Sequence, residues 1–300
     1  MDIIDAHCHA IAEDQAKYPR APLGGKQSGW ATSRPVTAEQ LAARMDETGI
    51  GAAVLVQATT AYGYDNSYVV DSSRLRPDRF AVVGTVDPLR PDAAEQLEQA
   101  TGEGGGLDGV RLFTQGSTVP TQGEWFAAEE TYPFWRAAGE LGVPVCLQMR
   151  LGAATKQLED VLERFPQVKV LLDHIGYPAI AESPEAAGQD VARLARHPGL
   201  HLKLTHRNLE PLQAAGAAAK DFLEPVVAAF GADRIAWGSN CPAAEQSLPE
   251  LLRLAEDVLA VLPDAARVEI FAGTARRLYP RLALHTPRAG VSSSRTGTRP

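Results

Sequence analysis

Short apolar runs of strand length alternate with amphipathic stretches of helix length along almost the whole chain. This is the pattern that repeated βα units and a parallel sheet require. Eight strand segments are predicted at 3–6, 51–57, 80–86, 109–113, 144–149, 168–174, 200–205 and 234–239. Helices are predicted near 38–48, 66–76, 92–102, 131–141, 155–165, 187–197, 213–230 and 247–261. Thr37 and Asp65 suit helix N-caps, and Gly49, Gly142 and Gly199 fall just after helices. Eight such pairs predict an α/β fold, a (β/α)8 TIM barrel over residues 1–283, with 284–300 a flexible, Ser/Thr/Arg/Pro-rich tail. The longest insertion, about 10–35, follows the first strand, where barrel loops form the active-site mouth; a lid and a plain surface loop are both compatible with it.

Composition changes this picture little. The chain has 300 residues, 45% hydrophobic and 22% charged, enough apolar mass for one large core. A net charge of −8 supplies no basic stripe, so nucleic acid is not an expected partner. Three cysteines without metal-type spacing argue against a disulfide framework. The absence of a signal-like start or a long apolar run argues against a membrane and for a cytoplasmic protein.

Candidate chemistry begins at His7-Cys8-His9, at the end of the first strand. Side chains two apart on a strand share a face, so both imidazoles converge at the barrel mouth while Cys8 turns away. His174 ends the sixth strand segment and Asn240 follows the eighth, which brings both to the same rim. These four are the expected catalytic set. Arg111 and Arg150 close the fourth and fifth strands and suit a carboxylate, so a small anionic substrate is expected. Gln148, Gln57, Lys203 and His206 are further substrate-binding candidates. Gln57, Tyr62, Tyr64 and Trp30 could line a pocket, although ordinary packing or loop solvation is the better reading of each. Cys8 and Cys241 are poorly placed for covalent catalysis.

Taken in order, DAHCH, LEDVLERFPQVKVLLDHIGYP, HPGLHLKLT, ADRIAWGSNCP and FAGTARRLY resemble the family-2 amidohydrolases. The likeness is narrower to the branch holding 2-pyrone-4,6-dicarboxylate lactonase and the sugar-acid lactonases, and it spans residues 2 to about 280. The resemblance implies a distorted barrel in which an HxH pair, a later strand-end histidine and a final-strand aspartate surround a reacting carbonyl. His7, His9 and His174 match that pattern. The histidine common at the end of strand five is replaced by the segment carrying Gln148 and Arg150, and the strand-four Lys or Glu by Arg111. Asn240 stands where the family commonly has Asp, as a natural variant or an engineered change.

These departures favour a site with no cofactor; the alternative is one divalent metal such as zinc on His7, His9 and His174. The expected function is hydrolysis of a small carboxylated lactone. Two alternatives stay open: a metal-dependent decarboxylase or lyase of the same superfamily, and a catalytically silent barrel that binds a small acid.

Overall fold

A computed structural model describes residues 1–116, 119 and 121–284. Eight strands run in chain order: β1 (Ile4–Cys8), β2 (Ala52–Val56), β3 (Phe80–Gly84), β4 (Gly109–Phe113), β5 (Val145–Gln148), β6 (Val170–Leu172), β7 (Leu200–Leu204) and β8 (Ile235–Trp237). Each pairs in parallel with the next, in the order β1 to β8. Helices fill the connections, so the chain folds as a nearly closed TIM barrel. Residues 285–300 of the expected tail lie outside the described residues.

Alternation along the strands builds two cores. Val82, Leu112, Leu147, Leu172 and Leu202 face outward into the layer shared with the helices. Ala52, Val54, Ala81, Cys146 and Ala236 face the barrel axis, where small side chains suit the narrow interior. One end of that interior is plugged by the helix Thr274–Leu278 and by Tyr279, which pack Ala275, Leu278 and the phenol ring against the inward residues.

The gap between β8 and β1 is closed by polar contacts. Asp5 accepts from the Ser239 amide at 2.8 Å, from the Ser239 hydroxyl at 2.5 Å and from the His7 amide at 3.0 Å. Beyond the strand ends, the Asn240 amide donates to the His7 carbonyl at 2.7 Å and the His9 amide to the Cys241 carbonyl at 2.8 Å. The β1–β2 register slips between Asp5 and Cys8. Such an irregularity shifts the alternation by one residue. Ile4 and Ala6 therefore point inward, and so do His7 and His9, while Cys8 joins the outer core.

The helix Ala38–Thr48 has the expected Thr37 cap, with the Gln40 amide donating to Thr37 Oγ1 at 3.2 Å, and Gly49 in the left-handed conformation after it. The N-cap near 66 is Asn66 and not Asp65; Asp65 instead accepts from the Ser67 amide at 2.9 Å. The segment after β7 also differs from expectation. A helix starts at once as His206–Ala215 and is followed by Ala219–Phe230. Pro211 inside the first helix and the break at Gly216 hide its period, although the reciprocal Thr205–Asn208 pairing marks its start.

Candidate active site

The C-terminal ends of the strands surround a cavity of about 460 Å³. His9, His174 and Asn240 line it. His9 Nδ1 lies 2.8 Å from the Val56 carbonyl, which can only accept, so the proton is on Nδ1 and Nε2 carries a free lone pair. Burial, followed by the charge of Arg111, lowers its pKa to about 4.

His174 is presented by a sharp turn rather than by the strand itself. Its φ is 54° and that of Ile175 is 52°, both in the left-handed region. Each such non-glycine residue costs about 1–3 kcal/mol and persists only where the surroundings hold it. The holding contacts are the Asn208 amide donating to the His174 carbonyl at 2.7 Å and the Thr205 hydroxyl 2.7 Å from His174 Nδ1. Burial keeps this imidazole, too, well below the ordinary histidine pKa. Asn240, with φ 60°, occupies the same backbone region, which asparagine tolerates better than most residues.

Below the cavity lies a buried ionic cluster. Asp173 pairs with Arg111 Nε at 2.8 Å and with Lys203 Nζ at 2.8 Å. Burial alone would raise the Asp173 carboxyl, but the charges of Lys203 and Arg111 outweigh it and hold its pKa well below the usual carboxylate range. Arg111 also donates to Gln148 Oε1, and Gln148 Nε2 donates to the Gln115 carbonyl at 2.6 Å. The guanidinium is thus fixed at the cavity wall by Gln148 on the neighbouring β5 and by Asp173 in the turn after β6.

The cavity wall contains three guanidinium groups, Arg111, Arg150 and Arg207, and no carboxylate among the described residues. Trp30 stacks on His9 with ring centroids 5.2 Å apart, so the insertion after β1 reaches into the mouth. Tyr177 lies beneath Arg150, whose guanidinium carbon is 4.7 Å from the ring centre.

Of the residues expected from sequence, His9, His174, Asn240, Arg111, Gln148 and Arg150 meet at this cavity. His7 stands one layer behind its wall, fully buried, with its ring centre 4.9 Å from that of His9 and 5.3 Å from that of His174. Three expected substrate contacts do not line the cavity. Gln57 spends its amide on the Gly63 and Asp65 carbonyls at 2.8 and 2.9 Å, pinning the loop after β2. Lys203 points into the barrel axis and is enclosed there. His206 opens a helix and bonds to the backbone at Ser239. Sequence reasoning missed Arg207 because the helix that carries it was expected to begin later. It also missed Asp173 as the hub of the ion pairs, although LLDH placed a carboxylate beside His174.

The amidohydrolase family profile matches residues 4–281, and the chain belongs to that family. No curated protein sequence matches it. Among solved structures it is similar to one from Pseudomonas putida described as a candidate 2-pyrone-4,6-dicarboxylic acid hydrolase, at 22% identity and TM-score 0.75, covering 93% of this chain and 98% of that one. An amidohydrolase from Burkholderia multivorans with bound zinc is 25% identical, with TM-score 0.68 and coverage of 93% and 99%. A 2,6-dihydroxybenzoate decarboxylase from Rhizobium is 18% identical, with TM-score 0.65 and the same coverage.

Proposed function

We propose that the chain hydrolyses a small carboxylated lactone. The observation that carries this reading is a cavity wall with three guanidinium groups and no carboxylate, set around neutral imidazoles. Guanidinium groups bind carboxylates in fork geometry, so Arg150 and Arg207 hold the anionic end of the substrate. The resemblance to the Pseudomonas putida protein points to the same class.

In this scheme Asn240 orients a water and the free lone pair of His9 Nε2 accepts its proton as the oxygen attacks the lactone carbonyl. Arg111, held by Asp173 and Gln148, stabilises the negative charge that develops on the carbonyl oxygen. Collapse breaks the ring carbon–oxygen bond, and the leaving oxygen takes the proton back from His9. The product is a carboxylic acid and a hydroxyl on one open chain, and the acid then releases its proton to solvent as the carboxylate.

The donor set does not fit a divalent cation. His7, His9 and His174 are the imidazoles in reach, the nearest carboxylate is consumed by two cations, and Arg111 and Lys203 already place positive charge at the spot. No step is therefore assigned to a metal. Ring opening followed by ultraviolet absorbance across a panel of pyrone and sugar-acid lactones, with and without EDTA, is the test. The reading requires turnover of at least one carboxylated member that chelation leaves unchanged. Failure on every carboxylated lactone would remove it.

A further inference from the structure

Behind the cavity sits an ammonium group that the scheme above does not use. Lys203 is fully enclosed, and its Nζ lies 2.8 Å from Asp173 Oδ1, 3.0 Å from His7 Nδ1 and 3.2 Å from Cys146 Sγ. An ammonium has three protons to give and no lone pair to accept with. Across the 3.0 Å contact His7 Nδ1 must therefore be the acceptor, which leaves the ring proton on Nε2.

One competitor for His7 Nδ1 is present. Asp173 Oδ1 would favour a proton there, in the manner of a carboxylate–imidazole pair, but it lies 3.6 Å away, beyond hydrogen-bond range. At the opposite edge of the ring, His7 Nε2 is buried without a partner. Folded proteins rarely leave such a group unpaired, and the His7 ring packs edge-on against two rings that line the cavity, His9 and His174. A hydrogen-bond acceptor arriving between His9 and His174 supplies the missing partner.

We propose that Lys203, pinned by Asp173, is a positioning residue that fixes His7 as the Nε2–H tautomer, so that His7 turns a donor rather than a lone pair toward the reacting carbonyl oxygen. The tautomer belongs to the free protein, whereas the role in turnover rests on the lactone reading. The lock also bears on metal affinity, since a protonated Nε2 cannot ligate a cation.

The test is nitrogen NMR of the protein labelled with ¹⁵N-histidine, with the His7 signals assigned through His7→Gln. The wild-type protein is expected to show a bare Nδ1 and a protonated Nε2. The opposite assignment, with the proton on Nδ1 facing Asp173, overturns the proposal without any other variant having to fold. In Lys203→Met, checked for folding by circular dichroism, the Nδ1 signal is expected to move toward the protonated form. Its kcat on an active lactone is expected to fall about 10²-fold with KM changed only a few-fold, the size of losing one oxyanion donor. A folded Lys203→Met protein with an unmoved His7 signal, or with an unchanged kcat, overturns it equally. If the wild-type protein opens no lactone, the functional reading fails, and the wild-type NMR spectrum still decides the tautomer.

Discussion

Gly238 and His7 approach so closely that a Cβ on residue 238 would lie 2.5 Å from His7 Cβ and 2.7 Å from the His7 amide nitrogen. The contact joins β8 to β1 where two candidate site residues, His7 and Asn240, branch off. Gly238→Ala must push one strand away from the other. Overpacking of this kind costs about 1–3 kcal/mol. Thermal unfolding is expected to show that loss, and activity is expected to fall further than stability because the shift misplaces Asn240.

Removal of the Asp173 carboxylate leaves Arg111 and Lys203 facing each other without a counter-charge. Breaking a buried ion pair from one side costs about 3–5 kcal/mol. Asp173→Asn is expected to lower the urea unfolding midpoint accordingly. An unchanged midpoint would mean that the two cations find other partners.

Asn240→Gly separates backbone strain from chemistry. Glycine accepts the φ of 60° without penalty, so the turn keeps its shape while the carboxamide is lost. The melting temperature is expected to stay nearly constant. On an active lactone, kcat is expected to drop about 10²-fold.

Arg207→Ala and Arg150→Ala test the anionic end of the substrate. A hydrogen bond to a charged group contributes about 1.5–3 kcal/mol, so the loss of either is expected to raise KM for a carboxylated lactone roughly ten- to hundredfold. Uncharged lactones serve as the control and are expected to respond much less to either variant.

The response to acid follows from the buried imidazoles. His9 and His206 have folded pKa values of about 4, and those of His7 and His174 are also depressed, whereas an unfolded histidine titrates near 6.5. The unfolded chain therefore binds more protons below that value, and the stability these groups contribute is complete above about pH 6.5 and lost as pH falls toward 4. Asp5 acts in the opposite sense. Burial raises its pKa to about 6, so it favours the folded state at low pH and loses that contribution as pH rises from 3.8 to 6. Burial also depresses His201 and raises the Asp108 carboxyl, so five imidazoles stand against two carboxyls and give the net sign: urea midpoints are expected to fall from pH 6.5 to pH 4. Turnover that depends on a neutral His9 is expected to persist down to about pH 5.

The barrel was legible because strand-length apolar runs alternate with helical periods, and most strand and helix positions follow that rhythm. His9, His174 and Asn240 were placed at the mouth by the same logic. The spacing of His7 and His9 alone could not reveal the slip between Asp5 and Cys8 that turns both rings inward. Lys203 read as a strand-end residue because a charge at the barrel axis needs a partner 30 residues away, and nothing local announces Asp173 as that partner. Arg207 was hidden by a helix whose period Pro211 and Gly216 interrupt. Long-range pairing and broken periods are the two kinds of information a linear pattern carries least well.

The three guanidinium groups of the mouth belong to a molecule whose overall charge is −8. A carboxylated lactone of the proposed kind would meet two opposed fields. Beyond about 10 Å in 0.1 M salt the whole-molecule charge is screened, and at lower ionic strength it repels. Within the mouth the arginines dominate and attract. Encounter and retention therefore answer salt in opposite directions: screening eases the way in and loosens the grip once the anion is seated.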